Sequence, residues 1–232
     1  MIELKNVYFR YEDKFILKNI NLKIKEGSYT ALIGANGSGK TTLAKQLNGL
    51  LTPTKGKVIV DGFNTKHNGI EVRKMVGFVF QNFEDQIVYS IAEEDVAFGL
   101  ENLAMDAAEI KKSVIVTLRK LKIDDIAKSN VNMLSQGQKQ LVALAGVLAM
   151  KPKYIVFDEP TTMLDAKNKK NIMKLINELN NKSKIAVIMV TNLLDDLKVA
   201  SEVILMKQGK VIFKGKKSKL EKELLVKAGL YD

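Results

Sequence analysis

The sequence predicts an α/β fold with a parallel-sheet core, an antiparallel β subdomain near the N-terminus and an inserted helical subdomain. Short apolar runs typical of strands alternate with segments of helical spacing in the first and last parts of the chain. A glycine-rich turn at residues 34–42 joins one such strand to a helix. From residue 87 to about residue 151 the apolar residues keep a helical spacing. We therefore expect one domain over residues 1–232, with the helical subdomain at approximately 84–150.

The first third of the chain predicts five strands and one helix. The run IELKNVYFRY alternates imperfectly between apolar and polar residues, and ILKNINLKIKEG alternates well, which predicts two strands. SYTALIG predicts a buried strand, and TTLAKQLNGLL has a helical spacing that places Leu43, Leu47 and Leu50 on one face. KGKVIVDG predicts a strand that ends in an Asp-Gly turn, and KMVGFVFQ predicts another apolar strand.

The last third of the chain returns to strands. KYIVFDEP and KIAVIMVTN are apolar runs of the kind found in strands that are buried on both faces, and SEVILMKQGKVIFKG also predicts strands. The amphipathic segment NKKNIMKLINELNNK, which separates the first two runs, predicts a helix. In open α/β sheets ligands bind at the carboxyl ends of the strands, so we expect Asn192, which ends the second run, to lie at such a site.

Composition excludes several classes of protein and site. The chain has 46% hydrophobic and 27% charged residues, which is ordinary for a soluble globular domain. No run approaches the roughly 20 apolar residues that span a bilayer, and the N-terminal residues lack the apolar core of a signal peptide. Cysteine is absent, which excludes disulfides and thiolate metal sites, and the only histidine, His67, lies among polar residues. We expect a cytoplasmic protein.

The net charge of +11 comes mostly from lysine, and the stretch KQGKVIFKGKKSKLEKELLVK is especially rich in it. Basic residues of this kind neutralise phosphates in nucleic-acid complexes. However, aromatic residues make up only 6% of the chain, and this stretch contains a single one, Phe213, instead of the successive stacking residues that bind single-stranded nucleic acids. No nucleic-acid partner is expected. Attraction to an anionic membrane face and a simply solvated surface both stay open.

The turn GANGSGKTT matches the pattern G-x-x-x-x-G-K-[ST]. Glycines let the backbone wrap a phosphate with successive N–H groups pointing inward, and the following helix presents its positive end. We expect Lys40 to reach the β- and γ-phosphates of a nucleotide and the Thr41 hydroxyl to ligate Mg²⁺. The pattern predicts a P-loop NTPase, whose nucleotide-binding residues are Gly34, Ala35, Asn36, Gly37, Ser38, Gly39, Lys40, Thr41 and Thr42.

Two adjacent carboxylates follow the strand in KYIVFDEP. We expect Asp158 to hold the metal, directly or through water, and Glu159 to orient or deprotonate the water that attacks the γ-phosphate. Acidic residues also favour helix N-termini, so a simple helix start is the alternative interpretation of this pair.

Between these motifs lies MLSQGQKQLVALAGVLAMKPKYIVFDEPTTMLD, and here the chain resembles the nucleotide-binding subunits of ATP-binding cassette (ABC) transporters. LSQGQ resembles the family signature, commonly LSGGQ, and TMLD, which ends in Asp165, resembles the loop that contacts the opposite subunit. Gln81 resembles the glutamine that links the metal site to the membrane partner, and Tyr11 the aromatic residue that stacks on adenine. The stretch VFQNFEDQIVYSIAEEDVAFG is similar to the energy-coupling-factor importers for vitamins and transition metals.

The signature also has a physical interpretation. Gly137 and Gln138 precede a predicted helix, so free backbone N–H groups and a positive helix end form an anion site there. A second anion site of this kind makes sense if it completes the ATP site of another subunit. An ordinary helix start capped by Ser135 is the alternative.

The resemblance implies an ATPase that energises a membrane importer and uses ATP and Mg²⁺. Its partners would be a second ABC ATPase subunit, a transmembrane coupling protein and a substrate-binding membrane subunit, with this chain peripheral on the cytoplasmic face of the membrane. Three sets of residues are implied: catalytic Glu159, Asn192 and Gln81; metal-binding Thr41, Gln81 and Asp158; and, besides the glycine-rich turn, ATP-contacting Tyr11, Ser135, Gln136, Gly137, Gln138 and Asp165.

Two residues depart from the family pattern. Gln136 replaces the first signature glycine and places a side chain where a phosphate should approach the backbone. Asn192 occupies the place of the usual switch histidine; asparagine can donate a hydrogen bond but cannot carry a proton. Asn192 would affect the ATP on this chain's own loop, whereas Gln136 would affect the ATP on the partner's loop.

These departures favour a heterodimer, because a homodimer would carry both of them in each ATP site. The alternative function is a catalytically impaired, ATP-binding regulatory subunit whose partner carries most of the hydrolysis. A soluble ABC protein that acts on nucleic acid is a further rival, although the long coiled-coil insertions of such proteins are not seen here.

Overall fold

The computed structural model describes residues 1–162 and 164–230, and these residues form an α/β fold. The strands are β1 (Ile2–Tyr11), β2 (Lys14–Ile24), β3 (Tyr29–Ile33), β4 (Lys55–Val60), β5 (Phe63–Asn64), β6 (Val76–Val79), β7 (Tyr154–Asp158), β8 (Ala186–Thr191), β9 (Glu202–Lys207) and β10 (Lys210–Lys216). The helices are α1 (Lys40–Leu47), α2 (Gly69–Met75), α3 (Ala92–Glu101), α4 (Ala107–Leu121), α5 (Gln136–Ala149), α6 (Ala166–Ser183) and α7 (Lys222–Lys227). None of the helices in this described part is long and apolar enough to cross a membrane.

The central sheet has the strand order β10-β9-β3-β8-β7-β6. All of its neighbouring pairs are parallel except β9 with β10, which is antiparallel. Every residue of β3, β7 and β8 is buried, which is why these strands are continuous apolar runs. The predicted parallel-sheet core is therefore confirmed.

A smaller antiparallel sheet, in the order β2-β1-β4-β5, packs over one face of the central sheet. Leu32 of β3 points into the apolar core that this sheet and α1 share, whereas its neighbours Ala31 and Ile33 point to the opposite core, which contains residues of α3 to α6. The pairing of β1 with β2 shifts register between Leu4 and Arg10, and these irregularities explain the imperfect alternation of β1.

Helices α3, α4 and α5 lie in the chain between β6 and β7, where the sequence analysis places the helical insertion. Their buried residues join the core on the helical side of the central sheet. Their presence between two neighbouring strands leaves the order of the parallel sheet intact, because β6 and β7 still pair directly.

The structure corrects three local predictions. Helix α1 ends at Leu47, and Leu50 is 44% exposed, because Gly49 takes a left-handed conformation that stops the helix. The segment before β6 forms the helix α2, so the strand predicted from KMVGFVFQ begins only at Val76. Helix α5 begins at Gln136, so Gly137 and Gln138, which were predicted to precede the helix, lie in its first turn.

Gly209 fixes the β9–β10 turn to the glycine-rich turn. Its N–H donates to the Ser38 carbonyl at 2.9 Å, and its own carbonyl accepts from the Lys18 N–H at 2.8 Å. Its φ is +78°, and a Cβ atom at this position would lie 2.1 Å from the Ile16 carbonyl oxygen. Only glycine fits there.

We therefore expect Gly209→Ala to lower the free energy of unfolding by more than about 2 kcal/mol, because the left-handed backbone alone costs roughly 1–2 kcal/mol for an L-residue and the clash adds to it. Gly62→Ala is the matched control: Gly62 has φ +92°, but a Cβ there meets nothing within 4 Å. Urea unfolding monitored by circular dichroism measures both losses. Equal losses would contradict the close contact at Gly209.

Candidate active site

The glycine-rich turn connects β3 to α1 at the carboxyl edge of the central sheet. A Cβ on Gly34 would lie 2.5 Å from the Met206 carbonyl oxygen and 2.6 Å from Ser38 Oγ, so the turn can start only with glycine. At its other end Gly39 provides no side-chain cap for α1, and the first turn of this helix has no acidic residue. The first backbone N–H groups of α1 thus remain available to an anion.

Lys40 is 5% exposed and already points along the turn. Its Nζ donates to the Gly34 carbonyl at 2.9 Å and to the Ala35 carbonyl at 3.3 Å, and it lies 3.9 Å from Glu159 Oε1. Burial lowers the pKa of Lys40, while the carboxylates of Glu159 and Asp158 oppose this shift. The ammonium therefore rests on carbonyl oxygens, for which phosphate oxygens are stronger replacements.

The Thr41 hydroxyl donates to Asp158 Oδ1 at 3.1 Å, which joins the start of α1 to the end of β7. Burial raises the pKa of Asp158; the hydrogen bond from Thr41 opposes this shift and the charge of Glu159 adds to it. A bound cation would favour the ionised carboxylate. Hydroxyl, carboxylate and amide oxygens from Thr41, Asp158 and Gln81 are the ligand types that Mg²⁺ prefers, together with waters and substrate phosphates, so this donor set fits the metal.

No cluster of three or more histidine, cysteine, aspartate or glutamate side chains that could hold a metal occurs in residues 1–162 and 164–230.

Glu159 has an unusual backbone conformation at the end of β7. Its φ is +47°, a left-handed value that is uncommon for a residue with a long side chain. The conformation is held by its N–H, which donates to the Val190 carbonyl at 3.0 Å. Its carboxylate accepts from Gln81 Nε2 at 3.4 Å and from Thr162 Oγ1 at 3.3 Å. The side chain is therefore aimed into the same space as Lys40.

The alternative interpretation of Asp158 and Glu159 as a helix start is wrong. The next helix, α6, begins only at Ala166 and is capped by Asp165, which accepts from the N–H groups of Lys167 and Asn168 at 2.9 Å each. The carboxylates of β7 are thus free of a capping role.

Asn192 directly follows β8, and its Nδ2 donates to Asn36 Oδ1 of the glycine-rich turn at 3.3 Å. Because β8 lies between β3 and β7 in the sheet, Asn192 is positioned at the same edge as the turn and the two carboxylates. The structure thereby brings the residue at the switch position next to the loop predicted to bind phosphate.

Asp196, a buried carboxylate that was not predicted from the sequence, stabilises the carboxyl edge of the central sheet. Asp196 is 1% exposed and accepts from Thr191 Oγ1 at 2.7 Å and from Thr161 Oγ1 at 3.4 Å. It also forms an ion pair with Lys169 of α6 at 3.5 Å. Asp196 thus ties the end of β8 to the segment after Glu159. The pair of acidic residues in LLDD gives no sign of this burial, because the contacts come from three separate segments.

A cleft of 750 Å³, a size that suits a nucleotide, lies beside the glycine-rich turn, and neither Asp158 nor Asn192 is among the described residues that line it. The predicted residues in its lining are Tyr11, Asn36, Gly37, Gly39, Lys40, Thr41, Thr42, Gln81 and Glu159. Tyr11 is half exposed and packs edge-on against Phe9, with 4.8 Å between the ring centroids. Lys14 and Lys18 also line the cleft and were missed by the sequence analysis; their charge favours an anionic ligand.

The signature residues are on a different surface. Ser135 caps α5 in a capping box: the Gln138 N–H donates to Ser135 Oγ at 3.4 Å, and the Ser135 N–H donates to Gln138 Oε1 at 3.0 Å. Gln136 and Gly137 form the first turn of the helix. None of these residues, nor Asp165, is among the described residues that line the cleft. Met163 of the TMLD segment lies outside the described residues.

Comparison with known proteins identifies the same family. The ABC transporter family model matches residues 17–162. The chain is 42% identical over 222 residues to an energy-coupling factor transporter ATP-binding protein, EcfA1 of Clostridium novyi, which covers 93% of this chain and 79% of that protein. These matches confirm the family that the sequence motifs predict.

Solved structures confirm the fold. One is cbiO1 from Clostridium perfringens, described as part of the ABC transporter complex cbiONQ; it has a TM-score of 0.84 at 35% identity, covering 99% of this chain and 94% of that one. Another is a dimeric ATP-binding cassette described as a post-hydrolysis state bound to ADP and Pi, with a TM-score of 0.80 at 34% identity, covering 93% of this chain and 98% of that one.

The buried carboxylate of Asp158 should weaken the ligand-free protein. Its pKa is raised above the ordinary 3.8 by burial, so between these two values the folded state binds more protons than the unfolded state, and stability falls as the pH rises through that window. Asp158→Asn removes the buried charge and keeps an oxygen acceptor for Thr41. We expect it to raise the free energy of unfolding at pH 7.

This gain should fade as the pH approaches 3.8, where Asp158 is increasingly protonated in both states. Urea unfolding without Mg²⁺ and nucleotide, over a pH series, measures it. Asp125→Asn, which changes an exposed aspartate, should give no gain at any pH. A loss of stability in Asp158→Asn at neutral pH would show that the carboxylate is stabilising as it stands.

Proposed function

The chain belongs to the ABC transporter family, and from this premise we propose that it is the ATP-binding and ATP-hydrolysing subunit that energises a membrane importer of the energy-coupling-factor type. Its similarity to EcfA1 and cbiO1 supports the importer class. The observation that carries the hydrolytic role is that Lys40, Thr41 and the Gln81–Glu159 pair line one cleft, with Asp158 hydrogen-bonded to Thr41.

Binding follows from the contacts of the glycine-rich turn. The N–H groups at the start of α1 hold the phosphates, and Lys40 leaves the carbonyls of Gly34 and Ala35 for the β- and γ-phosphate oxygens. Tyr11 offers a half-exposed ring for the adenine base. Thr41, Asp158 and Gln81 would hold Mg²⁺, which when bound neutralises charge on the phosphates.

Hydrolysis follows from the position of Glu159. Its carboxylate is held by Gln81 and Thr162 beside the Lys40 ammonium, so it can orient the attacking water and accept its proton. Asn192 can turn its amide from Asn36 to the γ-phosphate and donate a hydrogen bond there. It cannot take a proton, so proton transfer depends on Glu159.

We expect Glu159→Gln to reduce steady-state ATP turnover by at least about 100-fold, because the general base is lost while the shape of the side chain is kept. ATP binding should persist, because Lys40 and the glycine-rich turn are unchanged. Phosphate release and calorimetry measure the two quantities. Glu178→Gln on the exposed face of α6 is the control and should retain full turnover. Undiminished turnover in Glu159→Gln would refute the assignment.

The separation of the signature from the cleft favours a second ABC subunit that completes each ATP site. The positive end of α5 has no phosphate of its own nearby, whereas a head-to-tail partner would bring one. The similar dimeric cassette bound to ADP and Pi supports this arrangement. A heterodimer suits the chain better than a homodimer, because the homodimer would combine Gln136 and Asn192 in each site.

A groove next to Gln86 is the proposed docking place for the transmembrane coupling protein, which with a substrate-binding membrane subunit would complete the importer. It has a volume of 320 Å³ and is lined by Phe80, Gln86, Phe98 and Met150 among others. Val88 and Tyr89, which follow Gln86, are 59% and 40% exposed and extend the apolar surface. Docking there would place the subunit on the cytoplasmic face of the membrane.

The second candidate is a regulatory subunit that binds ATP while its partner hydrolyses it, and the amide of Asn192 is the observation that favours it. Single-turnover cleavage of ATP on the chain's own loop distinguishes the two. Cleavage supports the hydrolytic role, whereas binding without cleavage supports the regulatory one.

The test of binding is calorimetry with ATP and Mg²⁺ on the purified chain. Heat of association that is lost in Lys40→Ala supports the proposal, and no heat with the parent protein would overturn it. Purification with native membrane partners then tests the importer role, because a membrane coupling protein should co-purify.

We expect Asn192→His to raise the turnover of the assembly, by up to the 10²–10³-fold that one transition-state donor is worth. Imidazole would add a group that can carry a proton or a positive charge beside the γ-phosphate. Phosphate release in the presence of the partner subunits measures the effect, with Asn181→His on the exposed surface of α6 as the control. An unchanged or lower rate would count against the switch position of Asn192.

A further inference from the structure

Glu84 connects the segment after Gln81 to the signature helix. It lies in the 3₁₀ turn Phe83–Gln86, which Asn82 caps by accepting from the Glu84 N–H at 3.3 Å. Its Oε1 accepts from two residues in the first turns of α5, Lys139 Nζ at 2.6 Å and Gln136 Nε2 at 3.4 Å. The hydrogen bond from Lys139 holds the pKa of Glu84 below its ordinary value, with a further small effect from Gln136, so the carboxylate is charged at neutral pH.

The contact determines where the Gln136 side chain lies. Gln136 is the first residue of α5, directly after the cap Ser135, so an unrestrained side chain there can fold over the free N–H groups of the helix end. The hydrogen bond to Glu84 instead directs the amide of Gln136 away along the 3₁₀ turn. The N–H groups of Gln136 and Gly137, which the capping box leaves unpaired, then remain open to an anion.

We propose that Glu84 is a positioning residue for the phosphate site that this chain offers to a partner's ATP: it holds the Gln136 side chain off the N-terminus of α5. This inference rests on the proposed function, because it requires an ATP bound by a second subunit. Glu84 would thus compensate for the missing signature glycine, because its carboxylate holds the side chain of Gln136, the residue that replaces the glycine.

The segment that contains this turn also contributes to the chain's own ATP site. Gln81, which contacts Glu159, is three residues before Glu84 in the chain. Residues 81–84 therefore connect Glu159, in the chain's own ATP site, to the N-terminus of α5, which is offered to the partner's ATP. A purely local surface ion pair between Glu84 and Lys139 would contribute little, and its effect would have no dependence on Gln136.

A double-mutant cycle separates these two roles. In the assembly purified with its partner subunits, we expect Glu84→Ala to raise the KM for ATP about fivefold, the change that corresponds to about 1 kcal/mol, with a smaller effect on kcat. In the background of Gln136→Gly there is no side chain to hold back, so Glu84→Ala should then change KM less than about twofold. Glu101→Ala, which removes an exposed acidic residue at the end of α3, is the control and should leave KM unchanged in both backgrounds.

Binding of a fluorescent ATP analogue to the isolated chain should be the same in all these variants, because their own glycine-rich turn is intact. An equal rise of KM in both backgrounds, or no rise in either, would overturn the positioning role while leaving the proposed function in place. Absence of ATP binding by the parent chain, or of any turnover in its assembly, would overturn the proposed function and with it this inference.

Discussion

The parallel pairing of β3, β8 and β7 is the constraint on which the rest of the site depends. Ile33 pairs with Thr191 and Asp158 pairs with Val190, so the three strands end at nearly the same level. The glycine-rich turn, the carboxylates at the end of β7 and Asn192 after β8 consequently meet at one edge, although the turn is more than 100 residues away from the other two in the chain. The mainly apolar sequences of these strands make that pairing possible, because both faces of the sheet are covered.

Several groups at this edge are held in states that a ligand would relieve. Burial lowers the pKa of Lys40 and raises the pKa of Asp158, so each charged form is disfavoured without a partner of opposite charge. Glu159 keeps a left-handed backbone. These unfavourable states raise the free energy of the folded protein, and burial of the apolar cores on both sides of the sheet offsets this cost. Phosphates and a divalent cation are the ligands that would compensate the charges of Lys40 and Asp158.

The sequence predicted the strands and the motifs at their ends because both are local signals: a glycine pattern of fixed spacing and apolar runs with polar ends. It did not predict helix α2 or the end of helix α1 at Leu47, since short helices depend on what packs against them. The contacts of Asp196 and Glu84 were also beyond it. Each joins segments that are distant in the chain, and nothing in the adjacent residues distinguishes these carboxylates from solvated ones.

In the proposed assembly the two departures from the family pattern would act on different ATP molecules for a geometric reason. Asn192 ends a central strand and therefore faces the chain's own glycine-rich turn, whereas Gln136 begins a helix of the insertion and faces outward on another surface. A partner with histidine and glycine at the corresponding positions would leave each composite site with one departure. The proposed heterodimer is thus the assembly in which Gln136 and Asn192 would reduce the rate of ATP hydrolysis least.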